Sequence, residues 1–133
     1  MKSLLTAAFV LCAAPVFAGD AAVGEKEFNK CKSCHGLTAA DGTVVVKGGK
    51  TGPDLFGIVG KQVASDDSFK YGDGILAVGA TGMVWDEASL AAYMTDPAVW
   101  LKDQTGDAAA KSKMTFKLRA KAEDVAAYLA TMQ

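Results

Sequence analysis

The sequence predicts an all-α domain with at most a small hairpin, and three observations predict it. Apolar residues recur on one side of three separated stretches: Val23 and Phe28; Leu90, Tyr93 and Met94; and Val125, Tyr128, Leu129 and Met132. Only Thr43-Val44-Val45-Val46 has the composition of a strand, next to the turn signal Asp41-Gly42. The third observation is Cys31-Lys32-Ser33-Cys34-His35. Two cysteines two residues apart, followed at once by histidine, form the attachment signature of a c-type haem. The helices are therefore expected to wrap around one covalently attached haem.

Chemistry explains the spacing. Each thiol adds across one vinyl group of the porphyrin and becomes a thioether. The two intervening residues let one turn of chain span both vinyls. His35 then lies under the ring and can give an imidazole nitrogen to iron. Two other readings compete. A thioredoxin-type redox pair needs a βαβ setting, which this sequence lacks. Zinc wants four ligands, and the chain beyond residue 18 has no other cysteine and no other histidine.

Residues 1–18 read as an export signal. Lys2 is the positive start, Leu4 to Leu11 hold a short apolar run, and Val16-Phe17-Ala18 is a small-residue cleavage pattern. The run is broken by Pro15 and falls short of the ~20 apolar residues of a membrane span. Cleavage after Ala18 removes Cys12 and leaves one domain, 19–133, with no other stretch able to span a membrane. A periplasmic location follows. Without Lys2 there are 13 basic and 15 acidic residues, formally −2. That balance gives no reason to expect nucleic acid, which calls for a basic surplus. Charge is uneven, however: six basic residues against two acidic over 102–121, and two against five over 61–90. Such asymmetry can orient a charged partner.

The elements follow in order. A first helix is expected from Asp20, its cap, to about Lys32. Gly24 costs ~1 kcal/mol there against alanine, which a close helix–helix contact would explain. Residues 36–50 form a loop with a two-stranded hairpin at most. In Thr51-Gly52-Pro53, the Pro53 carbonyl can accept the N–H from the second nitrogen of His35 and so orient the ring. Residues 56–80, rich in glycine and weak in period, suggest a wrapping loop with one helical turn. Tyr71 and Trp85 are candidates to hydrogen-bond haem propionates, as buried aromatics with polar tips. A helix runs from Asp86 to Met94, and Pro97 ends it or opens the next turn. Residues 98–102 are short, 105–113 are a polar loop, and the last helix covers Lys121 to Met132.

One histidine excludes bis-histidine ligation within one monomer. The sixth position must be Met, Lys, an exogenous ligand or empty. Met94 and Met132 fall on apolar helix stripes, where methionine is usually core filler. Met83 and Met114 sit in loops, free to turn toward the iron. Thioether plus imidazole raises the potential and closes the iron, which favours electron transfer.

Beyond the haem motif, the chain carries Thr51-Gly52-Pro53, Phe69-Lys70-Tyr71-Gly72, Trp85, Asp96-Pro97, Lys113-Met114-Thr115-Phe116-Lys117-Leu118 and Ala127-Tyr128-Leu129. In that order it resembles a class I cytochrome c, closest to the larger bacterial cytochromes c2. The resemblance implies the class I cytochrome c fold, with His35 and Met114 as axial ligands and Pro53 accepting the His35 N–H. Tyr71, Trp85 and Ser112 would serve the propionates, and Tyr93 would hydrogen-bond near the Met114 sulfur. Phe116 would cover the haem edge. Gly24, Phe28 and Tyr128 would pack the first helix on the last. Lys61 stands where many relatives carry arginine.

The function implied is a monomeric periplasmic one-electron carrier, not an enzyme. Its donor would be a membrane quinol–cytochrome c oxidoreductase of bc1 type. Its acceptor would be a terminal oxidase or photosynthetic reaction centre. Docking would use a haem edge rimmed by Lys30, Lys50, Lys113 and Lys117. The rival class is a haem peroxidase or an open-iron gas-binding sensor, against which the lack of a spare histidine and the matched Met114 loop both argue.

Overall fold

The computed structural model describes residues 19–133; the proposed export signal, 1–18, lies outside the described residues. Five α-helices carry the fold: α1 (Ala21–Glu27), α2 (Asp73–Gly79), α3 (Glu87–Thr95), α4 (Pro97–Thr105) and α5 (Ala122–Ala130). One antiparallel pair, β1 (Leu37–Thr38) and β2 (Val44–Val46), is the only sheet among the described residues. None of the described helices is long and apolar enough to cross a membrane.

Three of these helices, α1, α3 and α4, start where an aspartate supplies a side-chain cap. The Asp20 carboxylate accepts from the N–H groups of Ala22 and Val23. α1 is shorter than the 20–32 expectation, because the chain tightens into a 3-10 turn over Phe28–Lys30. That turn drives Phe28 into the core, fully buried. Asp86 and Ser89 form a reciprocal capping box at the start of α3. Asp96 caps α4 by accepting from Val99, and Pro97 occupies the first turn, where its missing N–H costs nothing. α4 therefore runs to Thr105, past the expected short stretch. Gly106, with φ of 69°, ends it in the left-handed conformation.

The main departure is α2. The segment expected to hold one helical turn holds seven residues of helix. Its glycines lower intrinsic propensity, but they permit contact: Gly74 lies against the Lys111 carbonyl and Gly79 against the Val63 carbonyl. Tertiary packing overrides propensity here. α5 spans nine residues from Ala122, and its neighbour Lys121 takes φ of 61°. The hairpin forms as expected. Gly42 (φ 87°) makes the turn, and the Asp41 carboxylate accepts from Thr43 N–H.

Helix α1 crosses α5, and α3 packs on α5 as well. Phe28 meets Tyr128 with ring centroids 5.6 Å apart, joining first helix to last. The buried residues of α3, α4 and α5 continue this cluster through Leu90, Met94, Trp100, Leu101 and Leu129. α2 to α5 each lend residues to a cavity whose other walls are the 31–35 segment and the loops over 51–58, 64–72 and 111–116.

Candidate cofactor site

The backbone stays coiled through the cysteine segment. Cys31 N–H donates to Phe28 O at 2.8 Å, and His35 N–H donates to Cys31 O at 2.9 Å. One turn of chain thus carries both thiols and the imidazole. The thiols are free rather than paired in a disulfide. Burial pushes the Cys31 thiol up to about 11, whereas the hydroxyls of Thr51 and Ser33 hold the exposed Cys34 thiol below its usual value.

His35 is fixed from two sides. Its Nδ1 lies 2.7 Å from the Pro53 carbonyl oxygen. A carbonyl can only accept, so Nδ1 carries the proton and Nε2 keeps a lone pair. Burial lowers the imidazole's pKa, which favours the neutral ring that a metal requires. The ring rests flat against Gly52: a Cβ there would run into Cε1, Nδ1 and Nε2. Gly52 N–H donates to Cys34 O at 2.9 Å, which ties this loop to the cysteine turn.

The cavity measures about 270 Å³. Cys31, Cys34 and His35 line it with Thr51, Gly52 and Pro53. Leu55, Ile58, Ile75, Leu90, Leu101 and Leu129 make its apolar walls, and Lys30, Lys111 and Lys113 also line it. An apolar ring with two thiol-reactive carbons and a metal that takes imidazole fits this donor set. The rival readings of the cysteine pair do not. Among the described residues no group of three or more His, Cys, Asp or Glu could hold a metal ion. The hairpin is not the βαβ frame of a thiol redox pair.

Tyr71, Trp85, Tyr93, Ser112, Met114 and Phe116 all line the same cavity, with Pro53. Of the methionines, Met94 and Met114 line it and Met83 and Met132 do not; both of these pack against the core instead. Ser112 links two of the expected site residues. Its Oγ lies 3.4 Å from Tyr93 Oη and accepts from Met114 N–H at 3.1 Å. Tyr93 therefore reaches the Met114 backbone through Ser112. Trp85 is 4% exposed, and the Phe116 ring is 44% exposed at the cavity's edge.

Two contributors escaped the sequence reading. Gly52 stood inside a quoted motif with no role of its own. Trp100 stacks on Trp85 with centroids 5.2 Å apart and meets Tyr93 edge-on at 5.3 Å. It holds both cavity-lining rings from behind, and its only signal was an aromatic in a short apolar stretch.

Known proteins resemble this chain throughout. No protein-family model matches it. Cytochrome c-550 of Paracoccus pantotrophus is 61% identical over 114 residues, covering 84% of this chain and 85% of its own. Cytochrome c2 of Rhodobacter capsulatus is 55% identical over 135 positions, covering 99% and 98%. The crystal structure of ferric cytochrome c-550 from Paracoccus versutus superposes with a TM-score of 0.84 at 61% identity, covering 86% of this chain and 98% of that one. With this likeness over almost its full length, and two free thiols and a bare imidazole nitrogen at one cavity, the chain belongs to the class I cytochromes c of the c2 and c-550 group, electron-transfer proteins rather than enzymes, and carries one covalent haem c.

Proposed function

We propose that this protein shuttles single electrons between membrane redox complexes of the periplasm, with His35 and Met114 as the axial ligands of its iron. The donor is a bc1-type quinol–cytochrome c oxidoreductase. The acceptor is a terminal oxidase or a photosynthetic reaction centre. The protein works as a monomer, exported by residues 1–18. The bound haem supplies an iron that gains and loses one electron. Everything else is the work of the chain.

One observation carries this reading: a neutral imidazole with a free Nε2 and the Met114 thioether line a single apolar cavity. Pro53 O fixes the tautomer and raises the donor strength of His35. Ser112 holds the Met114 backbone. Met94 also lines the cavity, but it is 7% exposed on α3 and packs within the core cluster, the ordinary place for a filler methionine. Tyr71, Trp85 and Ser112 offer hydroxyl and indole donors for propionates. The apolar walls exclude water, so little reorganises when charge changes.

Gly52→Ala tests the His35 assignment. The added methyl must displace the ring or pull Pro53 away. The reduction potential is expected to rise, because an imidazole that has lost its hydrogen bond is a weaker donor to ferric iron. A potential equal to wild type would mean that Gly52 does not set the ring.

The lysine rim is tested by salt. Lys30 and Lys113 line the cavity; Lys50 and Lys117 adjoin Thr51 and Phe116, which do. They are not equally free. Lys30 pairs with Glu27 at 2.6 Å and Lys117 with Asp96 at 2.8 Å. Lys113 Nζ donates only to the Lys70 carbonyl, and among the described residues Lys50 has no ion pair. Transfer to a membrane partner should slow as salt rises, because rim charges act over a Debye length of ~8 Å at physiological strength. Lys113→Glu should slow association by about tenfold at low salt. Lys30→Glu should do less, and Lys70→Glu least. A rate flat with ionic strength, or three equal effects, overturns the rim.

A further inference from the structure

The hairpin leaves an apolar surface that the electron-transfer machinery does not use. Val44 is 59% exposed and Val45 47% exposed. Successive residues of a strand point to opposite faces, so β2 is covered on neither face at this point. Its outer edge is also unpaired among the described residues, where β1 is its only partner. Only Val46 turns inward, half-buried against the core. Apolar side chains are stabilised by burial in proportion to their area, and among the described residues nothing buries these two.

The hairpin is also rigidly tied to the cofactor turn. A Cβ on Gly48 would meet the His35 carbonyl, and one on Gly49 the Ser33 carbonyl. Gly49 N–H donates to Lys32 O at 2.8 Å. The strand's continuation is thus held against the 31–35 turn and runs directly into Thr51, a cavity-lining residue. Lys47 and Lys50 stand on that continuation, both without an ion pair among the described residues.

We propose that Val44 and Val45 form an apolar docking tip beside the haem edge that seats in an acid-rimmed apolar depression on the membrane redox partner. The proposal rests on the electron-shuttle reading above. Charge selects this occupant. A second copy seated symmetrically would bring Lys47 and Lys50 close to their own counterparts, a like-charge contact. An anionic bilayer calls for a cluster of about four to eight basic residues or a longer apolar face, and this hairpin has two lysines, two valines and the turn carboxylate Asp41. A partner with acidic groups around a small apolar centre satisfies both features at once. Lysines steer over distance, whereas the valines act only on contact. The tip should therefore govern the lifetime of the complex rather than its rate of formation.

The test is the double variant Val44→Ser/Val45→Ser, with Val45→Ser alone as the milder form, in the full haem-loaded protein. Both positions face solvent, so the visible spectrum and melting point should match wild type. Transfer is measured with purified bc1-type complex driven by reduced quinol, and with purified oxidase, across ionic strength. The double variant is expected to raise KM about fivefold with at least one complex. The offset should persist at high salt, and the slope of rate against salt should be unchanged. Lys113→Glu should do the reverse, changing the slope. A double variant equal to wild type at every salt overturns the tip while leaving the shuttle intact. A wild type that reacts with neither complex overturns the shuttle reading, and the tip with it. Sedimentation showing a dimer that the variant abolishes, or wild-type binding to phosphatidylglycerol vesicles lost in the variant, assigns the tip to those occupants and overturns the proposal.

Discussion

Replacing Met114 by alanine is expected to open the sixth position of the iron. The visible spectrum should become high-spin or show a substitute ligand, the reduction potential should fall, and the reduced protein should bind carbon monoxide that the wild type resists. The reasoning starts from ligand softness: a thioether supports ferrous iron preferentially, so losing it favours the ferric state. The structure sharpens the controls. Met83 does not line the cavity, so Met83→Ala should leave the spectrum unchanged. Met94 does line it, so Met94→Leu is the stricter comparison; a volume-conserving swap should cost under ~1.5 kcal/mol and no ligand. If Met94→Leu opens the iron and Met114→Ala does not, the ligand assignment is reversed. Ser112→Ala offers an intermediate case. It removes the acceptor for Met114 N–H and the Tyr93 contact while leaving the thioether in place.

The residues proposed to hold the cofactor were legible because chemistry fixes their spacing. Cys31, Cys34 and His35 must share one turn, and Pro53 is recognised by what its carbonyl can accept. Two helix starts were legible for a similar reason: Asp20 and Asp86 cap locally, through bonds within three residues. What stayed hidden depends on partners distant in sequence. α2 forms although its glycines argue against it, because Gly74 and Gly79 let it approach the backbone at Lys111 and Val63. α4 extends beyond the apolar stretch because its polar end is closed by Gly106. Trp100 becomes part of the site only by stacking behind Trp85, and Gly52 only by lying against an imidazole seventeen residues earlier. The lysines show the same limit. The family resemblance implied a rim, but the pairing of Lys30 with Glu27 and of Lys117 with Asp96 is a matter of geometry.

Gly24→Val is expected to destabilise the protein by about 3 kcal/mol, the upper end of the overpacking range. Gly24 lies inside α1 with ordinary helical geometry, so conformational freedom is not the reason for glycine. The reason is the crossing with α5. A Cβ at Gly24 would run into the Asp124 carbonyl and come within 2.9 Å of Tyr128 Cβ. The obstacle is backbone, which cannot rotate aside as a long side chain can. Neighbouring contacts hold the crossing in register: Asp20 N–H donates to the Asp124 carboxylate at 2.8 Å, and Phe28 packs on Tyr128. Valine would push the helices apart and loosen all of these together. Gly24→Ala gives the discriminating result. On helix propensity alone it should stabilise by ~1 kcal/mol. Packing at the crossing predicts the opposite sign, with a lower melting point than wild type even for one methyl. Denaturant unfolding of the haem-loaded protein measures both variants. An alanine variant more stable than wild type would show that α1 and α5 have room to separate, and would leave Gly24 without a packing role.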